Sequence, residues 1–215
     1  MTNLDSKDHP VVQEVNQLYR QLRHLPEERG RYSEARKMLT QLQALAQTLV
    51  ASGGNDYAEA LQTEGYALLE IGRRAPTKPL KARYQEAGYE ALCKAVDVGL
   101  SVGKDFRLAL SAHNVGVDLN SVMHQPERAR YYLLLSRSIL KLAEANPTLP
   151  TIRFMISTNL AECEVALGNN EKAARILRAS IARYRPRFDH WNDLRAYASA
   201  LELLGQILLE EVMMK

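Results

Sequence analysis

The chain has 215 residues, enough for one large domain or two small ones, and its 28 basic and 25 acidic side chains leave a net charge of only +3. So even a balance gives no electrostatic footprint for nucleic acid, and 46% hydrophobic with 25% charged residues is the composition of an ordinary globular protein. The two cysteines, Cys93 and Cys163, belong to no CxxC or Cys/His cluster, so the expectation is two reduced, buried thiols and no metal site.

The N-terminus, MTNLDSKDHPVV, lacks the basic-then-apolar order of a signal peptide, and no apolar run approaches the ~20 residues of a bilayer span. A cytoplasmic chain with no membrane partner is therefore expected, with a flexible tail over 1–9 and a single helical domain over 10–215. Strand signals are nearly absent, whereas helical spacing runs through almost the whole chain. Val11, Val15, Leu18, Leu22 and Leu25 form a first stripe at steps of four and three. LPEERG breaks it, and Ala35, Leu39, Leu42, Ala46 and Leu49 form a second. SGGND then precedes YAEALQTEGYALLEIG, and APTKP precedes KARYQEAGYEALCKAVDVGL. VGKD opens FRLALSAHNVGVDLNSV, HQPE opens RARYYLLLSRSILKLAEA, and NPTLP opens a helix that stops at GNN. RPRFDH precedes a last helix to about Val212. The pattern predicts about nine helices and no strand.

Small residues recur where helices would pack. In NLAECEVALGNNEKAARILRASIARYRP, Gly168 suits a left-handed helix end, and Ala173 and Ser180 share one face of the next helix with Leu177 between them. The same steps appear as Gly30, Ala35 and Leu39; as Gly88, Leu92 and Ala95; and as His124, Ala129, Leu133 and Ser136. His124 stands where the other copies have glycine, and histidine is among the residues that accept the left-handed region. Matching first-helix patterns are EGYALLEIG (64–72), NVGVDLNSV (114–122) and YASALELLG (197–205).

Over residues 30–205 this grammar resembles the tetratricopeptide repeat (TPR) family. The copies depart from the family in two ways. None carries its early Trp, and positions 35, 88, 129 and 173 are spaced by 53, 41 and 44 residues rather than the family's 34. The resemblance implies an all-α, right-handed solenoid of antiparallel helical hairpins, non-enzymatic and without a cofactor, that holds a peptide or partner protein in a concave groove. Carried onto this sequence, the groove would be lined by Gln62, Tyr66 and Glu70; by His113, Val117 and Asn120; by Thr158, Glu162 and Val165; and by Arg195, Ser199 and Glu202. Leu201, Leu204, Leu208 and Val212 on the last helix suggest an interface for self-association or for a partner.

Other chemistry finds little support. Arg73, Arg74, Lys78, Lys81 and Arg83 form one basic cluster, and Arg175, Arg178, Arg183, Arg185 and Arg187 another, interleaved with Tyr184, Phe188, His190 and Trp191. A regulatory, nucleic-acid-associated module using 175–187 is the alternative reading, but nearby glutamates favour a solvated charged face. No HExxH, GxSxG or phosphate-loop spacing occurs, and Ser111, His113 and Asp118 fall on one helix rather than converging as a triad must.

Overall fold

The computed structural model describes residues 9–26, 31–51, 54–103, 105–142, 149–187 and 190–213. Of the expected tail, residues 1–8 lie outside the described residues, while His9 caps the first helix by accepting a hydrogen bond from the Val11 N–H at 3.3 Å. Gly30 and Phe188 also lie outside them. The described residues are all-α, and the chain falls into two compact units, Met1–Gly103 and Lys104–Lys215.

The first unit holds α1 (Pro10–His24), α2 (Tyr32–Thr48), α3 (Gly54–Arg74) and α4 (Lys78–Val102). Helices α1 and α2 pair, α3 and α4 pair, and α3 also packs on both α1 and α2. The two sequence stripes supply this core. Val15, Leu22, Ala35 and Leu42 have no exposed surface, and Ile71 of α3 seals against them. Each such Leu or Ile contributes about 1.5–3 kcal/mol through burial. In the α3/α4 pair the backbones come close enough to exclude a side chain. A Cβ placed on Gly65 would lie 2.6 Å from Leu92 Cγ and 2.9 Å from the Gly88 carbonyl oxygen.

The second unit holds α5 (Phe106–Ser121), α6 (Pro126–Leu142), α7 (Leu149–Ala166), α8 (Asn170–Arg183) and α9 (Trp191–Met213). Here α5 pairs with α6 and α7 with α8, while α7 also touches α5 and α6, and α9 packs on α7 and α8. Gly116 repeats the close approach: a Cβ there would meet Leu133 Cγ at 2.7 Å and the Ala129 carbonyl at 3.1 Å. Ser136 Oγ donates to the Ala109 carbonyl at 2.7 Å, tying α6 to α5. Phe154, Ala161, Ala173, Leu177, Ala200 and Ile207 close the core beneath α9.

The turns contribute to the irregular spacing. After α7, Gly168 takes φ 77°, the Gly168 N–H donates to the Val165 carbonyl at 2.9 Å, and the Asn169 N–H to the Glu164 carbonyl at 2.7 Å. That is a Schellman end, which needs one left-handed residue. After α5, His124 takes that role at φ 53°, as its place in the pattern implies. The α5 turn is one residue longer, so its closing bond runs from the Gln125 N–H to the Leu119 carbonyl (2.8 Å). Further length lies in α3 and α4, with 21 and 25 residues.

Candidate partner-binding surface

In the first unit the expected lining residues are on α3, on the side that packs against α1. Asn16 of α1 donates to Glu59 at 2.9 Å and accepts from the Thr63 hydroxyl at 2.9 Å. Half-buried Tyr66 lies beside Tyr19, with ring centroids 6.4 Å apart and planes tilted by 31°. Gln62 is half-buried on the same face. Glu70 has a different environment. It is buried, and its carboxylate pairs with Arg73 and with the Arg74 guanidinium at 2.8 Å. Arg74 in turn donates to the carbonyls of Leu25 (2.7 Å) and Pro26 (3.2 Å), just past the end of α1, and to that of Arg23 (3.4 Å) in its last turn. Glu70 and Arg74 therefore fasten α1 to α3, and little of Glu70 is left for a partner.

In the second unit, α5 and α7 bring two of the expected trios side by side. The Asn159 amide lies 2.7 Å from His113 Nε2 and donates to it, which leaves the imidazole neutral with its proton on Nδ1. Burial pushes the His113 pKa down to about 4, so the ring stays uncharged through the physiological range. The Thr158 hydroxyl is buried and donates to the Phe154 carbonyl at 3.2 Å. Val117, Asn120, Glu162 and Val165 are all half-buried and reach the surface. Burial raises the Glu162 pKa, and no ion pair joins its carboxylate to a cation among the described residues. Asp118 is also half-buried, with a pKa raised by burial.

Glu164, two residues on, is a contrast. Burial alone would raise its pKa, but hydrogen bonds from Lys172 (2.6 Å) and Asn169 (2.9 Å), with the charges of Lys172 and Arg130, hold it below the usual range. Glu164 is a packing device between α7 and α8, whereas Glu162 is an unneutralised acid at the surface. Asn159 was missed by the sequence pattern, which places Thr158 and Glu162 on the lining but steps over the residue that joins α7 to α5.

On α9, Arg195, Ser199 and Glu202 are exposed. Of the suggested interface, Leu204 packs against the core and Leu208 is half-buried, while Leu201 and Val212 are 46% and 71% exposed. Leu209 and Met213, at 61% and 78%, extend the apolar surface beyond the expected set.

Two of the five arginines of the second cluster, Arg185 and Arg187, are committed to structure, while Arg175, Arg178 and Arg183 are exposed. Arg187 clasps Asp193 at 2.8 Å, and Thr151 donates to the same carboxylate at 2.9 Å. The Arg187 contacts hold the Asp193 pKa well below the usual carboxylate range. Arg185 donates to the carbonyls of Ala182 and Tyr184, both at 3.1 Å. Tyr184 is buried and stacked on Phe154, with centroids 4.2 Å apart. Arg185, Arg187 and Tyr184 are thus spent on closing the α8–α9 turn, which does not favour a nucleic-acid surface there.

Neither a protein-family model nor a curated protein sequence matches the chain. Two solved structures do, both of a kinesin light chain from Podosopora anserina with nearly identical TPR-like repeats. One, a single-residue variant, is 15% identical, covers 97% of this chain and 96% of its own, and has a TM-score of 0.57. The other is 18% identical, covers 97% and 99%, and has a TM-score of 0.53. At that identity the likeness is one of fold, and the fold of this chain is a TPR-like helical repeat.

Proposed function

We propose that this TPR-like helical repeat chain is a non-enzymatic, cytoplasmic protein-interaction module that holds a peptide or partner segment along its first-helix faces. The observation that carries the reading is the α5–α7 face, where Asn120 and Glu162 reach the surface on the same helices as the partly buried His113–Asn159 bridge. A face of this kind offers amide hydrogen bonds to an extended backbone, and an acid without an ion pair to a Lys, Arg or terminal amine of the partner. On the first unit, Tyr66 and Gln62 offer a half-exposed aromatic and an amide in the corresponding place. The exposed apolar side of α9 is proposed as a second interface, for another copy or another chain.

The test is a pull-down from source lysate at two salt concentrations, comparing wild type with a Tyr66→Ala/Glu162→Ala variant. A protein captured by wild type at both salts and lost from the variant supports the reading. Identical capture by both forms, or capture of nucleic acid alone, sinks it.

A further inference from the structure

A cleft of about 400 Å³ lies within the first unit, on the side formed by the second helices. Leu39 and Leu68 are among its apolar lining residues, and Arg36 of α2 and Arg83 of α4 line it as well. Tyr32 of α2 and Tyr84 of α4 also line it, with their hydroxyls 3.2 Å apart and their rings edge to face. This is the volume of a small-molecule site, with an apolar body and a few convergent polar groups.

The polar groups have one character. Among the described residues no lining residue is acidic, and no ion pair joins Arg36 or Arg83 to a carboxylate. Other polar groups of the cleft are already engaged: the Gln43 amide donates to Glu64 at 2.8 Å and the Thr40 hydroxyl to the Arg36 carbonyl at 3.1 Å. Tyr32 donates its hydroxyl hydrogen to Tyr84, and burial, with that bond second, raises the Tyr32 pKa to about 12 and keeps it a donor. The Tyr84 hydrogen is then free to point elsewhere. What remains in the lining is two arginines and one phenol, all donors, among apolar residues.

We propose that this cleft binds an organic anion: a carboxylate carried on a short apolar body. The planar guanidinium fork matches a carboxylate in two parallel hydrogen bonds, and the leucines take the body out of water. The site uses none of the residues proposed for the first-helix faces, so either proposal can fail without the other.

The experiment is calorimetric titration of the full chain with octanoate and, separately, with octan-1-ol, which keeps the body and lacks the charge. Octanoate is expected to bind once per chain, at least tenfold more tightly than the alcohol. Arg36→Gln/Arg83→Gln should abolish that preference, and Tyr84→Phe should weaken octanoate about threefold while leaving the alcohol unchanged. Both arginines are exposed, so circular dichroism should show the double variant folded as wild type is. A parallel arm uses an acetylated pentapeptide ending in a free leucine carboxylate, and its amide. Binding of the peptide acid but not the amide, dependent on the same arginines, assigns the anion to a chain terminus. Octanoate binding with a silent peptide assigns it to a free acid. Equal affinity for acid and alcohol, no binding by any carboxylate, or binding that survives the double variant overturns the proposal.

Discussion

Gly65 and Gly205 are chemically identical residues in two first helices, and their surroundings predict opposite responses to the same substitution. At Gly65 a methyl group would meet Leu92 and, at 2.9 Å, a backbone carbonyl that cannot rotate away. Gly65→Ala should therefore force α3 and α4 apart and cost about 1–3 kcal/mol, more than alanine's helix propensity returns. At Gly205 nothing lies within 4 Å, so Gly205→Ala should stabilise by up to about 1 kcal/mol. Urea denaturation midpoints of the two variants check both signs at once. A third residue governs acid sensitivity. Because burial lowers the His113 pKa to about 4, against 6.5 when exposed, the unfolded chain takes up a proton between those values that the folded chain refuses. The stability contribution of His113 is thus complete above about pH 6.5 and falls as the pH drops towards 4, by roughly 2–4 kcal/mol in all. Asp118 and Glu162 act with the opposite sign, since their raised pKa values favour protonation of the folded chain first. His113→Gln should flatten the destabilising slope over about pH 6.5–4, leaving the relief from Asp118 and Glu162 against Glu164 and Asp193, whose lowered pKa values act with the sign of His113. A stability curve parallel to that of wild type would show that His113 does not titrate as its burial implies.

At the scale of helices, the C-terminal end of α1 has a polar anchor whose loss should be felt well beyond its own contact. Arg74 neutralises buried Glu70 and supplies donors to carbonyls at and just past the end of α1. Arg74→Met keeps the stem but leaves Glu70 with only Arg73, whose side chain is 70% exposed, and leaves those carbonyls without that donor. A loss of about 3 kcal/mol is expected, with amide exchange accelerated first in α1. A global loss below about 1 kcal/mol would mean that water replaces the arginine. This anchor was not legible in the sequence, where Arg73 and Arg74 read only as part of a basic cluster, because a contact between residues 25 and 74 has no local signature. The helices themselves were legible, since each writes its own period: Val15, Leu22, Leu39 and Leu42 were placed on core faces by spacing alone and are buried. The left-handed turn at His124 was readable for the same reason, as a fixed step from Ala129 and Leu133. The candidate face was legible only in part. Glu162 and Asn120 were carried onto it by the family resemblance, which does not show that Glu70 is sealed or that Asn159 reaches across to His113.

For the molecule as a whole, α9 is where the hairpin pattern stops among the described residues. In α3 and α5 the glycine at the helix crossing is covered by the next helix, whereas Gly205, 44 residues after Ala161, has nothing over it. Around it Leu201, Leu209, Val212 and Met213 are 46–78% exposed, an apolar surface that soluble chains usually cover. If a second copy covers it, the contact should use the open glycine as the internal hairpins use theirs. Sedimentation of the wild-type chain should then show association that grows with concentration, and Leu209→Glu/Val212→Glu should abolish it. Because both leucine and valine are exposed, the double variant should cost the monomer no more than about 0.5 kcal/mol, which separates loss of contact from loss of fold. Gly205→Ala supplies the finer discrimination. It should raise the stability of the monomer yet weaken association, since the added methyl group would occupy the space the neighbouring helix needs. Wild type that sediments as a monomer at every concentration would rule out a second copy, and this surface of α9 would then be open to a different chain.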